Sequence, residues 1–381
     1  MRRAAVITIL LLYPAIAVAQ SAQPASQEPA QKPWWERITF FGDLRTRYEG
    51  FFLEDTATRH RQRFRFRFGL RTNISDQVTL GFRVASGEAI DIGSTNQTLT
   101  SFYSRKPINI DQVFVAWSPK PLNGLTLGFG KFGYPVTRTQ LVWDDDINWE
   151  GTYEQFTRSL GENTSLRLAA AQTPLNETLG GDDAFMWAEQ VQVGTTLGKH
   201  QVQASLASYA FQRIDQFAIA LSRQQIIALN TNATTRGPDG EIDGFLSDFH
   251  ILDLIGQATL ATGRAQYPVL VLAEWAHNTR AATDEDAAFW IVGGIGRAAV
   301  PRTASASYTY TRIERDAVIS AFRFSDMPGT NIIGQVLTGS YMPVNRINLD
   351  VALIFTKALE VPADSPNRTL TRLQVDARFS F

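Results

Sequence analysis

Residues 59–72 read RHRQRFRFRFGLRT, with Arg59, Arg61, Arg63, Arg65, Arg67 and Arg71 on odd positions and Phe64, Phe66, Phe68, Leu70 and Thr72 on even ones. That period of two belongs to a strand, whose successive side chains point to opposite faces. One face is a basic row and the other an apolar band. The band has to meet something apolar, while an arginine row needs water. Two settings satisfy both: the wall of a water-filled barrel in a membrane, or a soluble sheet with one face in solvent.

The same alternation recurs along the chain. In residues 38–49, Ile38, Phe40, Leu44, Thr46 and Tyr48 share one face, and Asp43, Arg45, Arg47 and Glu49 the other. A short turn at 73–77 leads to a third strand with Val78, Leu80, Phe82 and Val84 on one face and Arg83 on the other, which makes a hairpin. Further on the connections alternate in length: 87–109, 134–150, 173–183, 212–246 and 278–287 are long, whereas 119–124, 159–163, 198–200 and 262–266 are short. Short turns on one rim and long loops on the other are the rhythm of an outer-membrane barrel. The last ten residues alternate throughout, Leu373, Val375, Ala377, Phe379 and Phe381 against Arg372, Gln374, Asp376, Arg378 and Ser380. Such an end frays unless it pairs with the first strand, and that pairing closes the barrel and removes both edges.

The fold expected is therefore all-β, a transmembrane antiparallel up-and-down β-barrel. A plain count gives seventeen strands, but an even number is needed for both ends to lie on one rim. Reading 303–325 as one long strand with a bulge near 312–316 gives sixteen, with 326–330 an outer loop, 343–346 a short turn and 357–368 the last outer loop. Eighteen follows if 216–223 holds strand structure, and fourteen is the other open count. Within 213–230, Ile214, Phe217 and Leu221 fall at helical spacing, which suits a short helix in the outer loop.

Composition narrows the compartment. The chain has 381 residues, no cysteine and 11% aromatics, which excludes a disulfide scaffold or a thiolate metal site. Met1-Arg2-Arg3, an apolar run over 4–17 and Ala17-Val18-Ala19 form a Sec-type signal peptide, residues 1–19. Residues 20–33, QSAQPASQEPAQKP, read as a flexible periplasmic leader, and 34–381 as the barrel. The expected location is the outer membrane of a Gram-negative-type bacterium. No other stretch is apolar enough for a spanning helix. The formal charge of −1 becomes −3 without Arg2 and Arg3, so an exported, non-basic chain is no partner for nucleic acid.

Magnitude fixes the facing of the basic row. Arginine on the lipid face costs about 2–4 kcal/mol near the midplane, so turning Arg63, Arg65 and Arg67 outward would cost roughly 6–12 kcal/mol. The pore-lining candidates are thus Arg45, Arg47, Arg59, Arg61, Arg63, Arg65, Arg67, Arg71 and Arg83, with Asp43 and Glu49. In the bland reading the arginines pair with such carboxylates and merely solvate the lumen. In the functional one, unpaired members face acidic groups on an infolded loop and screen solutes by charge. The loop proposed for that role is 134–150, with Asp144, Asp145, Asp146 and Glu150 as constriction candidates. The expectation is that neutralising Arg63, Arg65 and Arg67 moves ion selectivity toward cations.

Other motifs carry less. Gly128-Phe129-Gly130-Lys131-Phe132-Gly133 fits G-x-G-x-x-G, but Tyr134-Pro135 follows where a nucleotide site needs a helix. Asp239, Glu241 and Asp243 could ligate calcium, although a glycine turn explains them more simply. His60, His200, His250 and His277 lie in no nucleophile motif, so no enzyme and no cofactor are expected.

The runs WWERITFFGDLRTRYE, RHRQRFRFRFGL, GFRVASGE with STNQTL, KPINIDQVFVAW, LVWDDDINWEG and RLQVDARFSF resemble the bacterial putative porin family of outer-membrane channels, in patches over 34–381. The resemblance implies passive diffusion of small hydrophilic solutes through one barrel, in a homotrimer as in general porins. Phe381 also resembles the strand-end signal of the barrel-assembly machinery, with Asp376 where that signal has glycine. Two alternatives stay open: a channel for anionic sugars or polysaccharide like the alginate exporters, and an outer-membrane enzyme or structural barrel.

Overall fold

The computed structural model describes residues 33–100, 102–177, 179, 183–223 and 232–381. The expected signal peptide, 1–19, and nearly all of the expected leader, 20–33, lie outside them. Nineteen strands follow in chain order: β1 Thr39–Leu53, β2 Arg59–Asn73, β3 Val78–Ser86, β4 Gln97–Thr98, β5 Ile108–Trp117, β6 Leu125–Phe132, β7 Trp149–Ser159, β8 Thr164–Asn176, β9 Ala184–Leu197 and β10 His200–Gln212, then β11 Thr234–Arg236, β12 Ile242–Phe245, β13 His250–Leu260, β14 Val269–Asn278, β15 Ala287–Gly296, β16 Thr303–Ile313, β17 Ile332–Val344, β18 Ile347–Ala358 and β19 Leu370–Ser380. Sixteen form the wall, each antiparallel to its chain neighbour, and β1 pairs with both β2 and β19 to close it. The two-residue β4 continues the pairing of β2 where β3 stops, and β11 and β12 form a hairpin within an outer loop. No described helix is long and apolar enough to cross a membrane. A closed wall leaves no backbone donor or acceptor to lipid, which is why a chain without such helices can span.

The two faces fall as the alternation requires. Phe40, Phe129 and Ile110 point outward and are 58%, 64% and 59% exposed, while Asp43, Arg47, Glu49, Arg63 and Arg65 point inward and are buried. The last residue is tied down rather than frayed. Phe381 exchanges backbone hydrogen bonds with Gly42 at 3.1 and 3.2 Å, and its ring lies over Phe68 at 6.4 Å. Gly42 cannot carry a side chain, since a Cβ there would meet that ring at 2.6 Å and the Arg67 carbonyl at 2.2 Å.

Residues 303–325 are not one bulged strand. β16 ends at Ile313, after which the chain turns into the lumen, burying Val318, Ile319 and Phe322. Their apparent alternation comes from packing into a loop core. The count of sixteen stands regardless. Residues 216–223 hide no strand: they lie in helix α1, Ile214–Arg223, which buries Ile214, Phe217, Ala218 and Leu221 at i, i+3, i+4 and i+7. Segment 133–148, α1 and segment 314–331 meet in an aromatic cluster inside the outer half of the barrel. Trp143 stacks on Phe322 at 5.0 Å, Phe217 meets Phe322 at 4.9 Å, and Trp149 and Tyr209 close the edges. Burying such side chains stabilises the infolded state by roughly 1.5–3 kcal/mol each.

Part of the outer wall is polar. Leu127, Phe156 and Leu168 share the outward face across β6, β7 and β8, and register puts Glu154 between them with Ala170 and Glu189 in its row. Gln172 Nε2 donates to Glu154 Oε2 at 3.0 Å and Thr152 donates to Gln172.

Candidate functional site

The basic row is assembled where β2, β1 and β19 lie side by side. Their register sets Arg45 opposite Arg65 and Arg378, and Arg47 opposite Arg63. Like charges directly across a ladder repel, so diagonal carboxylates must separate them. Asp43 accepts from Arg65 Nη2 at 2.8 Å and Arg67 Nε at 2.7 Å. Glu49, fully buried, accepts from Arg61 and from Arg372 Nη2 at 2.7 Å, with Arg63 at 3.7 Å. Arg47 grips Asp376 with two bonds of 2.8 Å, the fork geometry that a guanidinium offers a carboxylate.

Three outer segments then fold in over this row. From 87–96, Asn96 Oδ1 accepts from Arg45 Nη2 at 2.7 Å and Ser94 Oγ from Arg63 Nη2 at 3.3 Å. Segment 133–148 crosses the lumen, held on the far wall by Thr137 to Gln190 and Gln192 and by Thr139 to Glu274. It returns Asp146 to 3.7 Å from both Arg65 and Arg67. Segment 314–331 brings Asp326 to Arg372 at 2.6 Å and Arg47 at 3.2 Å. Burial alone would raise the Asp326 pKa, but Arg372 and Arg47 outweigh it and hold the carboxyl well below its ordinary range.

The pairing of the row with Asp43 and Glu49 is as the sequence suggests, and 134–150 does fold inward. Its acids divide differently. Only Asp146 meets the arginines. Asp145 pairs with Arg138 at 2.6 Å. Asp144 turns into the aromatic cluster and accepts from the backbone amides of Ser325 at 2.6 Å and Asp146 at 2.8 Å; burial, then the charge of Asp146, pushes its pKa up to about 7. Glu150 stands second in β7, in the outward phase, and pairs with Lys131 rather than with the arginine row. Among the arginines, Arg59 and Arg71 lie exposed at the strand ends, over Phe51 and Phe114, and Arg83 pairs with Asp111 at a bulge in β5. Asp239, Glu241 and Asp243 sit exposed on the β11–β12 turn, where Gly240 takes φ +81° and Glu241 N–H donates to Asp239. That is a glycine turn, and the described residues contain no metal-binding cluster. Five of the six glycine-motif residues, 128–132, form the end of β6 and Gly133 follows it, with Gly128 packed under Tyr153.

The sequence reading missed Asp326, Asn96, Asp376, Arg372 and Arg378 as site residues. The last three stand in the inward phase of β19, so the alternation already held them, but no local pattern marks Asp326 or Asn96. Below the infolded segments, toward the short-turn rim, lies a chamber of about 1080 Å³ lined in part by Arg45, Arg47, Asp326, Asp376 and Arg378. A smaller cavity of about 270 Å³, with Asp91, Asp111 and Asp146 on its wall, lies on the outer side.

Residues 51–236 match the putative porin family. No curated protein sequence matches the chain. The fold is similar to OprB of Pseudomonas putida at high pH, with TM-score 0.60 and 11% identity over 91% of this chain and 95% of that one. It is also similar to OmpF of Salmonella typhi in complex with daunomycin (TM-score 0.54, 8% identity, 90% and 97% covered), and to in-vitro folded OmpT of Vibrio cholerae in its trimer form (0.50, 12%, 90% and 99%). The barrel accordingly has the porin fold, and the family match together with that fold supports an outer-membrane channel. Family and fold point to a channel rather than an enzyme. Ser208 Oγ does lie 3.0 Å from His250 Nε2 on the outward face, but no carboxylate or amide is bonded to the other ring nitrogen among the described residues.

Proposed function

We propose that this porin passes small hydrophilic solutes by passive diffusion along a lumen whose one wall is the arginine row, with a preference for anions. One observation carries the reading. Among the described residues, Arg45, Arg47, Arg61, Arg63, Arg65, Arg67 and Arg372 make salt bridges to Asp43, Glu49, Asp146, Asp326 and Asp376, seven guanidiniums to five carboxylates beside the path. A cleft with charge of one sign raises the local concentration of solutes of the other. Arg45 is the least compensated, with its nearest carboxylate at 3.8 Å. Since Arg65 and Arg67 are hydrogen-bonded to Asp43, Arg45, which lines the chamber, is a better lever on selectivity than they are. In planar bilayers under a salt gradient the wild type is expected to give a reversal potential on the anion side, and Arg45→Gln to move it toward cations. A cation-selective wild type, or one that passes no current, overturns the reading.

A dedicated channel for anionic sugars is favoured only by the same charge excess. Liposome swelling separates the two, because graded entry of neutral sugars by size supports the general pore. We further propose export through the 1–19 signal, assembly through the β19 end at Phe381, and a homotrimer. The last is supported by the outward Glu154, Gln172 and Glu189, polar groups that lipid tails cannot satisfy.

A further inference from the structure

The chamber below the infolded segments has two unlike ends. On β1 and β19, Arg45 and Arg378 face each other across the ladder. Neither is hydrogen-bonded to a carboxylate: Asp376 is 3.8 Å from Arg45, Asp350 is 3.6 Å from Arg378, and the buried Nε atoms of both arginines have no partner. Both arginines line the chamber from registered positions of neighbouring strands, so an incoming carboxylate could take the charge-assisted bonds that neither makes to Asp376 or Asp350. The other end, on β14, β15 and the infolded segment, is apolar. Leu272, Trp290 and Phe324 line it, Trp290 and Phe324 meeting edge to face at 6.1 Å, and Ile354 continues it on β18. A lumen built only to carry hydrophilic solutes is polar throughout. The volume, about 1080 Å³, is at the upper end of the ~300–1000 Å³ typical of small-molecule sites, which pair an apolar lining with a few placed polar groups.

We propose that this chamber is a binding site for organic anions with an aromatic or similarly apolar body, the carboxylate seated on Arg45 and Arg378 and the body against Trp290 and Phe324. The proposal rests on the channel reading for how the solute arrives, but the site can be tested without conduction. Calorimetric titration of the detergent-solubilised full chain with 2-naphthoate, gluconate and acetate compares one carboxylate on an aromatic, a polyhydroxyl and a minimal body. The expected result is 2-naphthoate binding at least about tenfold (~1.4 kcal/mol) tighter than gluconate or acetate. Arg378→Gln should weaken all three, whereas Leu272→Ser and Trp290→Ala should weaken 2-naphthoate alone. Arg378→Lys, which keeps the charge, should retain part of the affinity. Heat-modifiable gel mobility reports whether each variant holds a folded barrel, and Leu272→Ser serves if Trp290→Ala does not. Equal affinity for 2-naphthoate and gluconate, or no binding of either, overturns the proposal even if bilayer currents are normal. Binding without current leaves this site standing and removes the diffusion reading instead.

Discussion

Asp144 and Asp326 are both drawn out of water by infolded loops, yet burial has opposite consequences for them. Asp326 is met by Arg47 and Arg372, which hold its carboxyl below the ordinary range. Asp144 has only backbone amides and the like charge of Asp146, and its pKa rises to about 7. A raised carboxyl contributes stability that is complete below its unfolded pKa, near 3.8, and lost as pH climbs through 7. A depressed one contributes stability that is present above that value and lost as pH falls. These two groups together should therefore make the barrel most heat-resistant near pH 4, with the Asp144 contribution declining from there to about pH 7. At a fixed scan rate in detergent, the unfolding midpoint of the wild type is expected to fall between about pH 4 and 7, and Asp144→Asn to flatten that fall. The upper limit of the effect is set by ~1.4 kcal/mol per pH unit between the two pKa values. Identical slopes for the two proteins would remove Asp144 from the account. Asp326→Asn, by contrast, leaves Arg47 and Arg372 short of a partner and should cost about 3–5 kcal/mol at neutral pH, as breaking a buried ion pair does.

At the scale of elements, what could be read from sequence depended on whether a segment keeps the period of two. The wall strands do, because lipid and lumen impose opposite demands on alternate residues whatever the neighbours are. Hence Phe64, Phe66 and Phe68 against Arg63, Arg65 and Arg67 could be assigned without a structure. The infolded segments obey no such rule. Val318, Phe322 and Phe324 sit on even positions like strand residues, but Phe322 is buried because Trp143 and Phe217 lie against it, and that contact joins residues far apart in the chain. Glu150 was misplaced for a related reason: it ends an acidic run, yet β7 has already begun and turns it outward. Segment 314–331 is thus as much a constriction element as 133–148. Phe322→Ala should loosen both, costing about 3–5 kcal/mol through the cavity it leaves. In single-channel recordings its open current should be larger and noisier than that of the wild type. An unchanged current would mean that the aromatic cluster lies off the conducting path.

The whole barrel presents to its surroundings a wall that is apolar around most of its girth and polar at one sector. Glu154 is six residues into the eleven of β7 and Glu189 six into the fourteen of β9, so these groups lie well inside the strands rather than at an aromatic rim. Left in lipid, the bonded Thr152, Gln172 and Glu154 and the neighbouring Glu189 would each lack the donors that water supplies, at a cost of about 1–3 kcal/mol per unsatisfied group. Set against a second copy of the chain, they would have polar partners and a fixed register. The two cases respond oppositely to the same change. Replacing Glu154, Gln172 and Glu189 together by leucine should stabilise a barrel whose sector faces lipid, because a burden is removed and the apolar belt completed. In a trimer that meets through this sector, the same triple substitution should leave each barrel folded but shift the assembly toward monomers. Light scattering on the detergent-solubilised protein, with heat-modifiable mobility as the check on folding, distinguishes the outcomes. A trimer that persists in the triple variant would move the interface to another face, and a wild type that is monomeric at all concentrations would remove the trimer.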